Sequence, residues 1–122
     1  MITAKPIFRI FDYQKAIEFY IDWLGFKIDW EHRFDDNAPV YLQISLNGLM
    51  IHLSEHHGDC SPGARVHIEN FTGLKEYHRK ITEKNYKYNH PGIGPAFWDS
   101  NVTVMEVIDP FHNILTITEN KR

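Results

Sequence analysis

The chain has a single cysteine, Cys60, among its 122 residues. One thiol excludes an intramolecular disulfide framework, so core packing and hydrogen bonds must hold the fold. Cys60 sits in a polar turn and reads as an incidental thiol rather than a nucleophile. Basic residues are not in excess: 13 Lys and Arg stand against 16 Asp and Glu, a net charge of −3 with histidine neutral. Neither that balance nor any basic run suits nucleic acid or an anionic membrane, and neither partner is expected. No apolar run approaches the ~20 residues that span a bilayer. Residues 1–20 lack the basic start, apolar stretch and small-residue cleavage site of a secretory signal, so none is expected and the cytoplasm is the expected compartment. Nucleophile-elbow, phosphate-loop and dinucleotide patterns are missing too, since Gly92-Ile93-Gly94 is short and follows no strand–helix junction.

Aromatics, by contrast, are plentiful at 14%. Residues 6–11 read as a strand, and Asp12 as the N-cap of a helix whose apolar face is Ala16, Phe19, Tyr20, Trp23 and Leu24. Gly25 is placed to close that helix in the left-handed conformation. Residues 26–34 follow as a strand, with Ile28, Trp30 and His32 on one face and Lys27, Asp29 and Glu31 on the other. After a turn cluster at 35–39, Val40, Leu42, Ile44 and Leu46 point inward from the next strand. Asn47-Gly48 is a strong hairpin signal. It leads into Leu49, Ile51 and Leu53, which alternate with Met50, His52 and Ser54.

The second half has the same order. Cys60-Ser61-Pro62-Gly63 is a joint, and 65–69 a strand. Asn70 or Thr72 can cap a helix with Leu74, Tyr77, His78 and Ile81 on its apolar side. Residues 86–88 read weakly as a strand and 90–95 as loop. Residues 102–108 and 114–118 are strands around the turn at 109–113. Setting Asp12 against Asn70 puts Phe19 on Tyr77 and His52 on Thr116, an internal repeat. The reading is one domain, 1–122, of α+β class. It is built from two βαβββ repeats, about 5–58 and 64–119, that form a curled mixed sheet.

This pattern resembles the vicinal oxygen chelate superfamily, the glyoxalase/bleomycin resistance/dioxygenase fold. The residues that carry it are Arg9-Ile10-Phe11-Asp12, Ala16-Ile17-Glu18-Phe19-Tyr20, Leu24-Gly25-Phe26 and the strand Val107 to Leu115 with Asp109-Pro110-Phe111-His112-Asn113. His52-Leu53-Ser54-Glu55-His56-His57-Gly58-Asp59 is most similar to the bleomycin-resistance branch. Pro6 is similar as well: there a proline bends the first strand toward a partner subunit, which implies a strand-swapped homodimer. His112 stands where the family usually has glycine, and Trp98 is displaced from the family's Trp-Gly.

Metal-dependent members of the superfamily take one ligand from each of four strands. The corresponding positions here are Lys5, His52, the Gly63 or Arg65 region, and Thr116. A shift to His67 would still supply only two ligands. A divalent ion needs converging N/O donors, and an ammonium has no free lone pair. No metal and no other cofactor is therefore expected. His56, His57, Asp59 and Cys60 match no standard zinc spacing. His78 is expected on a core or interface face and His90 in solvent.

The ligand wall expected from alternation contains Arg9, Met50, His52 and His67, with Trp30, His32, Tyr41, Trp98 and Glu106 as further candidates. It suits a planar, heteroaromatic, cationic ligand. The resemblance implies a bleomycin-like glycopeptide, bound at a dimer interface without chemistry. The alternative is a metal-dependent glyoxalase or dioxygenase that uses His52; an acid–base role for His52 with Glu106 is a separate option.

Overall fold

The computed structural model describes residues 1–121, and the chain divides into two compact units. The first is Met1–Ala64 with the turn Asp109–Asn113, and the second begins at Arg65. Each is a βαβββ repeat with its own four-stranded mixed sheet.

In the first unit, β1 (Ile7–Arg9) lies parallel to β4 (Leu49–Ser54), and β3 (Tyr41–Leu46) and β2 (Lys27–His32) continue the sheet antiparallel in the order β1-β4-β3-β2. The expected alternation holds on β1, β3 and β4. Phe8, Leu42, Ile44, Ile51 and Leu53 are fully buried on one face, each worth about 1.5–3 kcal/mol of apolar burial. The turn at Asn47-Gly48 has φ of 51° and 88°, the two positive values of a type I′ hairpin.

Asp12 caps α1 (Tyr13–Ala16) by accepting from the Lys15 amide at 3.1 Å. The helix then widens into a π-helical segment, Ile17–Trp23, where the Leu24 amide reaches the Phe19 carbonyl five residues back. Phe19, Tyr20, Trp23 and Leu24 are all buried, and Gly25 follows at φ 84°.

One expectation about β2 fails. The pairing slips between Ile28 and Trp30, so that Ile28 faces Ile44 while Trp30 faces Gln43. This bulge at Asp29 breaks the period of two. Ile28 lies on the core side, Trp30 and His32 on the other, and Glu31 on the core side with Ile28, where it accepts a hydrogen bond from Tyr13.

The second unit contains β5 (Arg65–Ile68), α2 (Leu74–Glu83), β6 (Ile93–Pro95), β7 (Val102–Ile108) and β8 (Ile114–Asn120), with sheet order β5-β8-β7-β6 and β5 parallel to β8. Three local readings are corrected here. Residues 86–88 form no strand, and Asn85 has already turned the chain at φ 54°. The edge strand β6 comes instead from the Pro-Gly segment read as loop; an edge is the one place in a sheet that tolerates proline. Neither Asn70 nor Thr72 caps α2. Its first amides, Gly73 and Leu74, donate at 2.9 Å to the carboxylate of Glu119, brought from β8. No helix among the described residues is long and apolar enough to cross a membrane.

Candidate functional site

Register defines the uncovered face of the first sheet. Residues paired across strands share a face, so Ile7, His52, Gln43 and Trp30 make one row, and Arg9, Ser54, Tyr41 and His32 the next. Three rings meet there. Trp30 lies parallel to Tyr41 (centroids 5.9 Å, 8°), and both meet His52 edge-on, at 5.3 and 5.2 Å. Trp30 remains 44% exposed, so one of its ring faces is available.

A polar chain fixes the imidazole. Gln43 Nε2 lies 2.9 Å from Asp29 Oδ2, while Lys5 Nζ lies 3.0 Å from Gln43 Oε1. A carboxylate only accepts and an ammonium only donates, so these neighbours set the amide's orientation. His52 Nε2, 3.0 Å from the same Oε1, must then donate. That leaves Nδ1 as an acceptor for the Tyr41 hydroxyl at 2.6 Å. His52 is thus a neutral Nε2–H tautomer with both nitrogens engaged. Burial first, and the Lys5 charge second, hold its pKa below the ordinary 6.5. Asp29 is held below the usual carboxylate range chiefly by the Gln43 hydrogen bond, with Ser45 adding another. Met50 touches Gln43 through sulfur at 3.6 Å.

The corresponding positions of the second unit carry different chemistry. His67 pairs with Thr116 and Glu106 with Thr116, just as Ile7 pairs with His52 and Gln43 with His52. Arg65 therefore answers to Lys5. Its Nη1 donates to Glu106 at 2.7 Å and to Thr116 at 3.0 Å; the Arg65 bond, and a second that Thr116 Oγ1 donates to Glu106 at 2.9 Å, pull the Glu106 pKa down. His67 and Trp98 come together separately, with rings 5.8 Å apart, beside a cavity of about 190 Å³ that also meets Glu69 and Thr118.

This geometry tests the donor set for a metal. The superfamily ligand positions hold Lys5, His52, Arg65 and Thr116. Two are cations already committed to hydrogen bonds, and the histidine has no unengaged lone pair. Such a set does not fit a divalent ion. Among the described residues no three His, Cys, Asp or Glu side chains converge for one either. The turn after β4 is tied internally instead, with Ser54 Oγ donating to Asp59 at 2.6 Å and accepting from the His56 amide.

Of the residues singled out in the sequence, Trp30, Tyr41, Met50 and His52 gather at one place, with His32 in the neighbouring row beside Phe34 at 4.9 Å. Arg9 lies at the end of that face, its guanidinium 4.6 Å from the Phe11 ring centroid. His67 and Trp98 pair with each other, and Glu106 pairs with Arg65. His78 anchors a loop through the Pro91 carbonyl at 2.8 Å. The residues missed were Gln43 and Asp29. Gln43 was findable, because a two-residue turn at 47–48 sets 46 opposite 49 and hence 43 opposite 52. Asp29 was not, since nothing in the sequence marks the bulge.

The comparisons with known proteins agree with this architecture. A sequence profile described as "Glyoxalase superfamily protein" matches residues 2–122. The chain belongs to the glyoxalase superfamily. A bleomycin resistance determinant encoded on the transposon Tn5 superimposes with a TM-score of 0.71 at 19% identity, with 100% of each chain covered. A bleomycin-binding protein complexed with bleomycin gives 0.69 at 21%, covering 98% of this chain and 99% of that one. A glyoxalase family protein from Enterococcus faecalis gives 0.67 at 14%, covering 98% and 97%. At these identities the likeness carries the fold. No curated protein matches the chain in sequence.

Proposed function

We propose that this protein is a binding protein of the bleomycin-resistance type. It takes up a planar, cationic aromatic molecule, such as a bleomycin-like glycopeptide, and does no chemistry on it. The observation that carries this reading is the Trp30–Tyr41–His52 cluster, held rigid by the Lys5, Gln43 and Asp29 chain on an uncovered sheet face. A neutral imidazole and an offset ring pair offer a stacking surface without adding positive charge. Cation–π attraction to an exposed indole is worth about 0.5–2 kcal/mol. His67 with Trp98 supplies a second aromatic pair, and Arg9, His32, Met50 and Glu106 complete the proposed contacts. The working unit is a homodimer with the first strands exchanged at Pro6 and the ligand groove at the subunit interface, in the cytoplasm. That a bleomycin-binding protein shares the fold supports this reading.

Titration with bleomycin, followed by tryptophan fluorescence and calorimetry, is the direct test. Saturable quenching that is lost in Trp30→Ala is the expected result. No binding at high micromolar bleomycin would remove the drug assignment and leave the family membership untouched. Stoichiometric nickel, zinc, iron or manganese that is lost in His52→Ala would favour a metalloenzyme instead.

A further inference from the structure

One guanidinium in the first unit is left incompletely used. Arg9 Nη1 is closed off from solvent and meets no hydrogen-bond acceptor, the one buried side-chain nitrogen or oxygen so placed among the described residues. Buried polar groups are satisfied in the great majority of cases, and an exception calls for a reason. A structural arginine spends its fork on carbonyls or carboxylates. Arg9 instead lies over an aromatic ring, Phe11, that is itself more than half exposed.

The same side chain lines a cavity of about 380 Å³ at the end of the first sheet. Its walls come from the end of β1, the segment between β2 and β3, and the residue after β4, including Phe11, Arg33, Asn37, Pro39 and Glu55. Arg33 Nη1 donates to the Ala38 carbonyl at 3.0 Å and stands 4.0 Å from Glu55 Oε1, beyond hydrogen-bond reach. That Glu55 oxygen already accepts from the Val40 amide at 3.0 Å. Two arginines and one partly spent carboxylate thus line the recess, an excess of one positive charge among its lining side chains. A metal ion or ammonium would be repelled there. A carboxylate or phosphate oxygen pair matches a planar guanidinium in both charge and shape.

We propose that this cavity is a binding site for a single oxyanion on a compact organic body, gripped by Arg9 with Arg33 beside it and edged by the Phe11 ring. Arg9 is the one residue that it shares with the contacts proposed above; the ring-stacking cluster lies outside it.

Calorimetric titration of the full chain with sodium benzoate, and separately with inorganic phosphate, tests the site, with ionic strength held constant by sodium chloride. Saturable one-to-one binding is expected. Arg9→Gln should weaken it by about tenfold or more and Arg33→Gln by a smaller factor. Glu55→Gln removes the competing charge, keeps an oxygen for the Val40 amide, and should tighten binding. The ratio of benzoate to phosphate affinity names the source, carboxylate or phosphoryl. Absence of saturable binding by both anions overturns the proposal, as does unchanged affinity in an Arg9→Gln protein that is folded by circular dichroism. Should Arg9→Gln not fold, Arg33→Gln and Glu55→Gln decide, and unchanged affinity in both overturns it. Bleomycin titration has a separate probe and readout, so failure of either reading is visible without the other.

Discussion

At the scale of single residues, hydrogen bonds occupy both of the His52 nitrogens that a metal would need. The ring's tautomer follows from Lys5 and Asp29, two hydrogen bonds away through Gln43; the hairpin register makes Gln43 legible in the sequence, and the bulge hides Asp29. Two measurements check this. In nitrogen-edited NMR, His52 should titrate below the ordinary histidine value of 6.5 and carry its neutral proton on Nε2. The sign for stability follows from linkage. The folded form resists protonation, so the contribution of His52 is fully present above the unfolded pKa. It declines as pH falls below about 6.5 toward the lower folded value. In His52→Phe that part of the pH dependence should vanish. Gln43→Leu is the stricter test, because it removes the one partner that Lys5, Asp29 and His52 share. It should cost about 1–3 kcal/mol in chemical denaturation, the range for partners left unsatisfied, and should lower the His52 pKa further, because the carbonyl that accepts from Nε2–H favours the protonated ring while burial and the Lys5 charge remain.

At the scale of elements, what the sequence marks locally agrees with the structure, and what depends on distant strands does not. The Asp12 cap, the Gly25 stop and the Asn47-Gly48 turn each reside in two or three adjacent residues. The α2 cap does not: its acceptor, Glu119, is 45 residues from Leu74, and no window of sequence holds both. Glu119→Ala should therefore weaken α2 by about 1 kcal/mol, as loss of an N-terminal cap does, measured as a lower denaturation midpoint. The two amide bonds hold the Glu119 pKa below its usual 4.5. Its stabilisation is therefore present above that value and lost as pH falls through the folded pKa. The turn Asp109–Asn113 shows the same mixture of local and distant. Asp109 Oδ1 accepts from the Phe111 and Asn113 amides, both at 2.8 Å, and Oδ2 from Asn113 Nδ2 and from the Tyr20 hydroxyl at 2.7 Å. His112 takes φ 69° where the family usually has glycine, so the turn keeps its left-handed residue without one. Burial raises the Asp109 pKa, yet four donors converge on it, and an amide in its place would turn two hydrogens toward donors. Asp109→Asn should cost on the order of 2–4 kcal/mol, despite removing a buried charge.

At the scale of the whole chain, the two repeats keep one hydrogen-bonding plan and exchange its chemistry. Lys5, Gln43 and His52 in the first correspond to Arg65, Glu106 and Thr116 in the second, position for position in the register. Each set has a cation at the start of its repeat, Lys5 just before β1 and Arg65 in β5, bonded to an acceptor on the repeat's third strand. Where metal-dependent relatives place anionic or neutral donors, this chain places positive charge twice. An added divalent ion would have to displace an ammonium and a guanidinium from their partners, and would find one imidazole and one hydroxyl in return. Equilibrium dialysis against nickel or zinc at micromolar concentration should therefore give no stoichiometric uptake. The thermal midpoint should be the same with and without EDTA, because no folding free energy is linked to metal. Lys5→Ala carries the argument further. Removing the neighbouring charge should raise the His52 pKa, and Gln43 Oε1 would keep only the imidazole as donor. If metal affinity appears in Lys5→Ala but not in the parent, positive charge is what excludes the ion. If the parent itself binds metal one-to-one through His52, the hydrogen-bond assignment of this face is wrong.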